Sequence, residues 1–156
     1  TSNAYAFANY IGDTNTSETI PTSFASMTID STVLELGGVS RSGNAITISS
    51  AGYYKGTFTV GRLSTTSSPK QCMARIRNTT SGTTKAVSCA SSITIDATGG
   101  EETSTYVMSF EVTSGEAGNT FEFQLCATAG GAAINSASTI NGEDSPTFAI
   151  VLESIG

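Results

Sequence analysis

The sequence predicts an all-β fold built as an antiparallel β-sandwich or barrel, and three observations support this prediction. Apolar and polar residues alternate with a period of two over many short segments, as they do in strands with one buried face. Turn-forming Gly, Ser, Asn and Asp separate these segments, and no stretch sustains the periodicity of an amphipathic helix. Many short strands between turn signals are typical of sandwiches and barrels.

Nine segments carry the alternation, and each is predicted to be a strand. In chain order they are 4–10, 26–36, 45–49, 53–63, 71–77, 84–90, 105–112, 119–127 and 147–154. Gly56 interrupts the inward row of segment 53–63, which predicts a β-bulge or the close approach of another backbone. The polar positions predicted to face outward are Lys55, Arg75, Arg77, Glu111, Glu122 and Glu153. The apolar positions predicted to face inward are Ile46, Ile48, Tyr54, Phe58, Val60, Cys72, Ala74, Ile76, Tyr106, Met108, Phe110, Val112, Phe121, Phe123, Leu125, Phe148, Ile150 and Leu152.

The segment "QCMARIRNTTSGTTKAVSCA" (71–90) predicts a β-hairpin centred between Thr80 and Ser81. In that register Cys72 and Cys89 lie opposite each other, within disulfide distance if they occupy a non-hydrogen-bonded pair. A pair of buried thiols is the alternative, and it is favoured because free cysteine is among the residue types most often buried. Cys126 completes an odd set of three whose spacing fits no metal site.

The final segment, "TFAIVLESIG" (147–156), differs from the other strands because its outward positions are apolar as well. Ala149, Val151 and Ile155 alternate with the inward Ile150 and Leu152. A strand that is apolar on both faces is usually covered on both, whereas a single sandwich covers only one. The pattern therefore predicts that a partner subunit covers these three positions.

Two regions fit the strand pattern less well. Residues 127–146 are a connection of about twenty residues, longer than most loops, and a short strand is expected near Ala133 and Ile134. Residues 1–44 are predicted to hold an N-terminal strand and an arm-like segment, and residues 45–156 the core. We expect both parts to form one continuous domain, which suits a length of 156 residues.

Composition and charge narrow the possible partners. Charged residues make up 13% of the chain, against a usual value of about 25%, so hydroxyl side chains supply much of its polarity. A formal charge of −6 without an Arg/Lys cluster argues against nucleic acid and an anionic membrane surface as partners. No stretch is long and apolar enough to cross a bilayer.

Side chains able to carry out catalysis or bind metal are few. The sequence has no histidine, which removes the commonest general base and the serine and cysteine triads. The acidic residues that cluster, Glu101, Glu102, Glu143, Asp144 and Asp96, lie in predicted turns, where solvated carboxylates are expected. Asn141, Glu143, Asp144 and Ser145 together offer calcium too few oxygens. The sequence therefore predicts a protein that is not an enzyme and has no metal or cofactor.

Four strand patterns together resemble a known family. They are "ITISSAGYYKGTFTV" (46–60), "ARIRNTTSGTTKAVS" (74–88), "GNTFEFQL" (118–125) and "FAIVLESIG" (148–156). The series is similar to the jelly-roll of the complement globular-head and tumour-necrosis-factor superfamily, especially the versions on bacteriophage particles and in collagen-like spore-coat proteins. In that family a Gly-Tyr-aromatic strand follows a short Ile-x-Ile strand, and the chain ends on an apolar strand near a threefold axis. Residues 1–44 match less clearly and contain no collagen-like Gly-x-y stalk.

This resemblance implies a jelly-roll sandwich that forms a homotrimer. Tyr54 is then expected in the core, while Tyr53 faces outward, onto a neighbouring subunit or into solvent. The residues expected at the trimer interface are Tyr53, Ala149, Val151 and Ile155.

Two functions from different classes compete. The first is a trimeric structural protein that decorates or cements a phage capsid, assembled in the host cytoplasm, located on the virion surface and bound to the capsid protein. The compact length, the missing stalk and the two-sided terminal strand favour it. The alternative is the receptor-binding tip of a tail fibre or spike that recognises host surface glycan. The Ser/Thr/Asn-rich loops and Tyr53 favour this alternative, and the same fold serves both uses.

Overall fold

The computed structural model describes residues 5–12, 17–66, 69–94, 101–135 and 138–156, and within these ranges the chain forms strands and turns. No helix in those ranges is long and apolar enough to span a membrane. The strands in chain order are β1 (Phe7–Gly12), β2 (Glu18–Thr19), β3 (Ala25–Ser26), β4 (Ser31–Leu36), β5 (Val39–Ser42), β6 (Ala45–Ile48), β7 (Gly52–Thr65), β8 (Lys70–Asn78), β9 (Thr83–Val87), β10 (Ser91–Ile93), β11 (Glu102–Val112), β12 (Thr120–Ala127), β13 (Ala132–Ile134), β14 (Ser138–Ile140), β15 (Glu143–Ser145) and β16 (Phe148–Ser154).

Two antiparallel sheets pack face to face and contain most of these strands. Sheet one has the order β2–β13–β7–β16–β1–β4, and β11 also pairs with β7. Sheet two has the order β10–β8–β12–β6–β5, with β3 paired to β12 and β9 paired to β8. The strands β14 and β15 form a separate hairpin. The predicted all-β antiparallel sandwich is confirmed.

The core lies between the two sheets and is made of the inward positions that the alternation predicts. Every one of those predicted positions is at most 6% exposed. The Phe58 ring is completely buried and meets the rings of Tyr106, Phe123 and Phe148 edge-on, with centroids 5.4 to 6.4 Å apart. Burial of each such ring stabilises the fold by about 1.5–3 kcal/mol.

Gly56 has a different role from the one predicted. It pairs in regular register with Met108 and Leu152, so there is no bulge at this position. A Cβ at Gly56 would lie 2.5 Å from Cζ of Phe123, so the close neighbour is a side chain from sheet two and not another backbone. The prediction of a bulge or a backbone contact is therefore wrong. Gly56 leaves the space that the Phe123 ring occupies between the sheets.

The segment 26–36 is not the single strand that the sequence predicts: β3 ends at Ser26 and β4 begins at Ser31. β3 belongs to sheet two and β4 to sheet one, so the chain crosses from one sheet to the other between them. Met27 and Ile29 are buried during this crossing, which is why the apolar alternation continues without a break. Alternation alone does not report that consecutive residues have changed sheets.

The N-terminal region and the long connection also contribute strands. β1 lies between β16 and β4, and its Tyr10 is completely buried, so these residues belong to the sandwich itself and not to a separate arm. The connection 127–146 contains β13, which confirms the short strand expected near Ala133 and Ile134. The β14–β15 hairpin follows and turns at Asn141 and Gly142, both with positive φ.

Candidate functional site: the outer face of sheet one

The outer face of sheet one, which we call face one, consists of the residues that alternate with the core positions of β11, β7, β16, β1 and β4. The strand registers align these residues in rows that run across the sheet. The central row is Val107, Thr57, Val151, Asn9 and Leu34. Three of its five side chains are apolar although the row lies outside the core.

Face one carries most of the exposed apolar surface in the described part of the chain. Six of the nine large apolar side chains that are exposed there lie on face one, with exposures of 42% to 59%. They are Tyr5, Leu34, Leu36, Tyr53, Val107 and Ile155. Exposed apolar side chains gathered on one face mark a candidate interaction site.

The four predicted interface residues meet on this face. Ala149 and Val151 project from β16 and are half-buried, while Ile155 follows the same strand and is exposed. Tyr53 lies on the neighbouring β7, where its carbonyl accepts a 2.8 Å hydrogen bond from the backbone N–H of Ile155. Tyr54 of the same strand is buried, as predicted.

Part of face one escaped the sequence-based prediction. Tyr5 and Phe7 stack with ring centroids 6.4 Å apart, and Leu36 lies across from Phe7 on β4. The odd-numbered residues of "YAFANYI" (5–11) are mostly apolar, like the outward positions of β16. That second apolar phase in an N-terminal strand was the signal that could have identified them.

Polar groups on face one are mostly hydroxyls, and the charged side chains on its strands include Glu111, exposed on β11 opposite Tyr53. Lys55 and Glu153 lie side by side on β7 and β16 and form an ion pair with Nζ to Oε1 at 3.2 Å. The pair therefore leaves no net charge at its position. Asn9, at the centre of the face, has a buried Oδ1 that accepts no hydrogen bond from the described residues. A buried acceptor without a donor costs about 1–3 kcal/mol.

Comparison with solved structures identifies the fold. Murine APRIL, in a crystal structure at pH 5.0, matches 97% of this chain and 99% of its own at a TM-score of 0.57 and 9% identity. Eiger TNF from S. frugiperda matches 98% of this chain and 94% of its own, at a TM-score of 0.62 and 11% identity. This chain has a tumour-necrosis-factor-like jelly-roll fold. Neither a family model nor a curated protein matches it, and likeness at such low identity shows the fold alone.

The cysteines of the jelly-roll do not form the predicted pair. All three are free; Cys72 is buried opposite Ser91 of β10, whereas Cys89 is exposed. The register of the β8–β9 hairpin shifts between Ile76 and Arg77, which displaces Cys89 from the position opposite Cys72. The predicted disulfide and the predicted pair of buried thiols are both wrong for this reason.

Glu101, one of the clustered acidic residues, binds side chains of two strands of the jelly-roll or their ends. The Glu101 carboxylate accepts hydrogen bonds from Nε of Arg62 at 3.1 Å and from Nδ2 of Asn135 at 2.6 Å. Burial raises the pKa of Glu101, but these hydrogen bonds and the Arg62 charge outweigh it and lower the pKa overall. Arg62 has a φ of 53°, a left-handed conformation that its contacts with Glu101 help to hold.

The remaining predicted carboxylates lie away from face one. Glu102 begins β11, and its carboxylate accepts a 2.6 Å hydrogen bond from the backbone N–H of Thr94. Glu143 and Asp144 are exposed on β15, so they lie on a strand and not in the predicted turn. Asp96 lies outside the described residues. Among the described residues, no three His, Cys, Asp or Glu side chains are grouped so that they could hold a metal ion.

Proposed function

We propose that the chain forms a homotrimer through face one, with β16 near the threefold axis, and that the trimer is a structural protein of a virion surface. The observation that carries this proposal is the set of six exposed aromatic and aliphatic side chains on face one, together with the apolar Val151 at the centre of its sheet. A second copy of the chain is the occupant that we assign to this face. The four residues expected at the interface from the sequence all lie within it.

One pair of charges on face one suits self-association. Lys55 and Glu153 neutralise each other within one subunit, so covering this pair leaves no uncompensated charge there; Glu111, on the outer strand β11, is exposed. The aromatic side chains Tyr5, Phe7 and Tyr53 are of the type enriched at the centres of protein interfaces. Three copies that turn face one towards a common threefold axis give a closed, symmetric assembly, as most homo-oligomers have.

Decoration or cementing of a phage capsid is the role that we assign to this trimer. The support is the similarity of the strand patterns to jelly-rolls found on phage particles and the two-sided terminal strand. The role is non-catalytic and needs a capsid protein as partner. It places the chain on the virion surface after assembly in the host cytoplasm.

The test is a mass measurement by multi-angle light scattering, followed by co-sedimentation with empty capsid shells. The proposal expects a concentration-independent trimer that sediments with the shells. A monomer at micromolar concentration would overturn the assignment of face one. A trimer that stays in the supernatant would remove the capsid role and leave the trimer intact.

Recognition of host glycan by a tail-fibre or spike tip is the second candidate, and one observation favours it. A cleft of about 240 Å³ lies beside the C-terminal strand and is lined by Tyr5, Ser50, Tyr54 and Ser154 together with backbone of residues 51–52 and 156. No charged side chain lines it, and aromatic rings with hydroxyls suit a neutral sugar. Adsorption of the labelled protein to host cells, lost in Tyr5→Ala, is the expected result for this candidate. Adsorption that Tyr5→Ala leaves unchanged would reject this cleft.

A further inference from the structure

The outer face of sheet two, opposite to face one, places two arginines next to each other. Arg75 and Arg77 are two residues apart on β8 and project from the same side of the strand. Neither takes part in any of the ion pairs formed among the described residues. The whole chain has only seven Lys and Arg residues against thirteen Asp and Glu, so two neighbouring cations without an ion pair are unusual in it.

A single hydroxyl joins the two guanidinium groups. Nη1 of Arg75 donates to Oγ1 of Thr84 at 3.4 Å, and Nη1 of Arg77 donates to the same oxygen at 3.5 Å. Both hydrogen bonds are long, whereas a charged acceptor would shorten them. The hydroxyl accepts from both arginines and keeps its own hydrogen available as a donor.

The Arg75 side chain is held in a fixed orientation. Its guanidinium lies 4.2 Å above the centroid of the Phe24 ring, and its Nε donates to Oε1 of Gln124 at 2.8 Å. Burial lowers the pKa of Arg75, and the positive charge of Arg77 lowers it further. An anion between the two groups would relieve this repulsion.

Arg77 has fewer partners than Arg75 among the described residues. Within the described part of the chain, its guanidinium donates only to Thr84. Glu122 lies opposite Arg77 on β12, but its carboxylate accepts a 2.9 Å hydrogen bond from Nε2 of Gln124. Most donors of the Arg77 fork are therefore available to a ligand.

We propose that Arg75, Arg77 and the Thr84 hydroxyl form a binding site for one oxyanion, a phosphate, sulfate or carboxylate group. The planar forks of the two arginines supply paired N–H donors that match the oxygens of such a group. The site lies on the sheet opposite to face one, so self-association through face one would leave it open. It therefore does not depend on the proposed function.

The experiment follows the arginine Nε–H signals of the whole chain by NMR during titration with sodium phosphate, sodium sulfate or sodium acetate. Sodium chloride keeps the ionic strength constant, which removes general screening effects. The proposal expects saturable shifts of the Arg75 and Arg77 signals, while the signal of Arg62, already paired with Glu101, stays unchanged. Saturation by acetate as well as phosphate would identify carboxylates of a protein partner as the ligands. Saturation by phosphate and sulfate, but not by acetate, would identify a phosphorylated or sulfated ligand.

Three variants test which groups bind. Arg77→Gln should weaken phosphate binding by about tenfold or more, because charge-assisted hydrogen bonds are lost. Arg77→Lys keeps the charge but loses the planar fork and should weaken binding several-fold. Glu122→Gln removes the neighbouring negative charge and should strengthen binding.

The proposal is overturned if the shifts do not saturate, or if Arg77→Gln binds phosphate as the unmodified chain does. Equal binding by Arg77→Lys would also contradict it, since net charge alone would then explain the affinity. Arg77 lies on the surface and away from the core, so these variants are expected to fold. An unchanged pattern of backbone signals confirms this in each case.

Discussion

The two outer faces of the sandwich differ sharply, although their strands bury equally apolar residues on the inside. Face one mixes apolar with polar residues along its rows and exposes six large apolar side chains. The outer face of sheet two carries polar side chains that bond to one another, as in the series Arg75, Gln124 and Glu122. Among the exposed large apolar side chains of the described residues, only Val87 lies on a strand of sheet two. The polar groups of the sheet-two face are thus bonded mainly within the chain, whereas face one carries most of the exposed large apolar side chains of the described residues.

A second polar network shows how complete the sheet-two side is. Glu116, in the turn after β11, accepts hydrogen bonds from Nζ of Lys85 at 2.7 Å and from Nδ2 of Asn78 at 2.9 Å. The backbone N–H and the hydroxyl of Thr113 also donate to this carboxylate. The turn is thereby fastened to the β8–β9 hairpin, and no partner is needed to satisfy these groups.

The largest expected effect follows from placing a charge at the centre of face one. Val151→Asp should lower the association constant by about a thousandfold or more, because a carboxylate without a partner would be buried at the interface. Sedimentation velocity measures the change. Val151→Thr, which has nearly the same shape, is the matched variant and should weaken association far less. A Val151→Asp protein that keeps the mass of the unmodified chain would remove face one from the interface.

Glu116→Gln should produce the largest loss of stability on the other side of the molecule. Lys85 would lose its charged partner, and the free energy of unfolding should fall by about 1–3 kcal/mol. Urea unfolding monitored by circular dichroism measures this. Glu143→Gln, at an exposed position of β15, is the control and should change the stability little. Similar losses in both variants would show that the network contributes nothing specific.

The same network predicts how stability depends on pH. Burial raises the pKa of Glu116, but the hydrogen bonds from Lys85, Asn78 and Thr113 outweigh it and lower the pKa from 4.5 to about 2. The stabilisation is therefore fully present above about pH 4.5 and is lost as the pH falls towards 2. The difference between the unfolding midpoints at pH 6 and pH 3 should be smaller for Glu116→Gln than for the unmodified chain. An identical pH dependence of the two proteins would contradict the assignment.

A smaller effect is expected where Phe24 covers the Arg75 guanidinium. Phe24→Leu keeps apolar cover but removes the aromatic face, and the free energy of unfolding should fall by about 0.5–1 kcal/mol. Thermal unfolding measures the difference. Phe24→Tyr preserves the ring and should be close to neutral. Equal stability of the Leu and Tyr variants would show that the ring adds only apolar contact.

The sequence predicted the inside of this molecule better than its surfaces. Period-two alternation identifies which residues of a strand are buried. The core residues, and the apolar residues on both faces of β16, could therefore be predicted from the sequence. The second apolar phase of residues 5–11 was overlooked, so the contribution of Tyr5 and Phe7 to face one was missed. Leu36 joins them through the register of β4 against β1, and register between distant strands carries no local signal. The register shift after Ile76 separates the predicted cysteine pair, whereas Thr84 lies opposite Arg77 as in the predicted hairpin; no sequence pattern reports that shift.

The most direct test of the contrast between the two faces uses two valines of equal exposure. Val107 of β11 is 55% exposed on face one, and Val87 of β9 is 57% exposed on a strand of sheet two. We would measure the mass of Val107→Asp and Val87→Asp by light scattering at one protein concentration. The account predicts that Val107→Asp dissociates to monomers while Val87→Asp keeps the trimer mass. Equal masses for the two variants would contradict it.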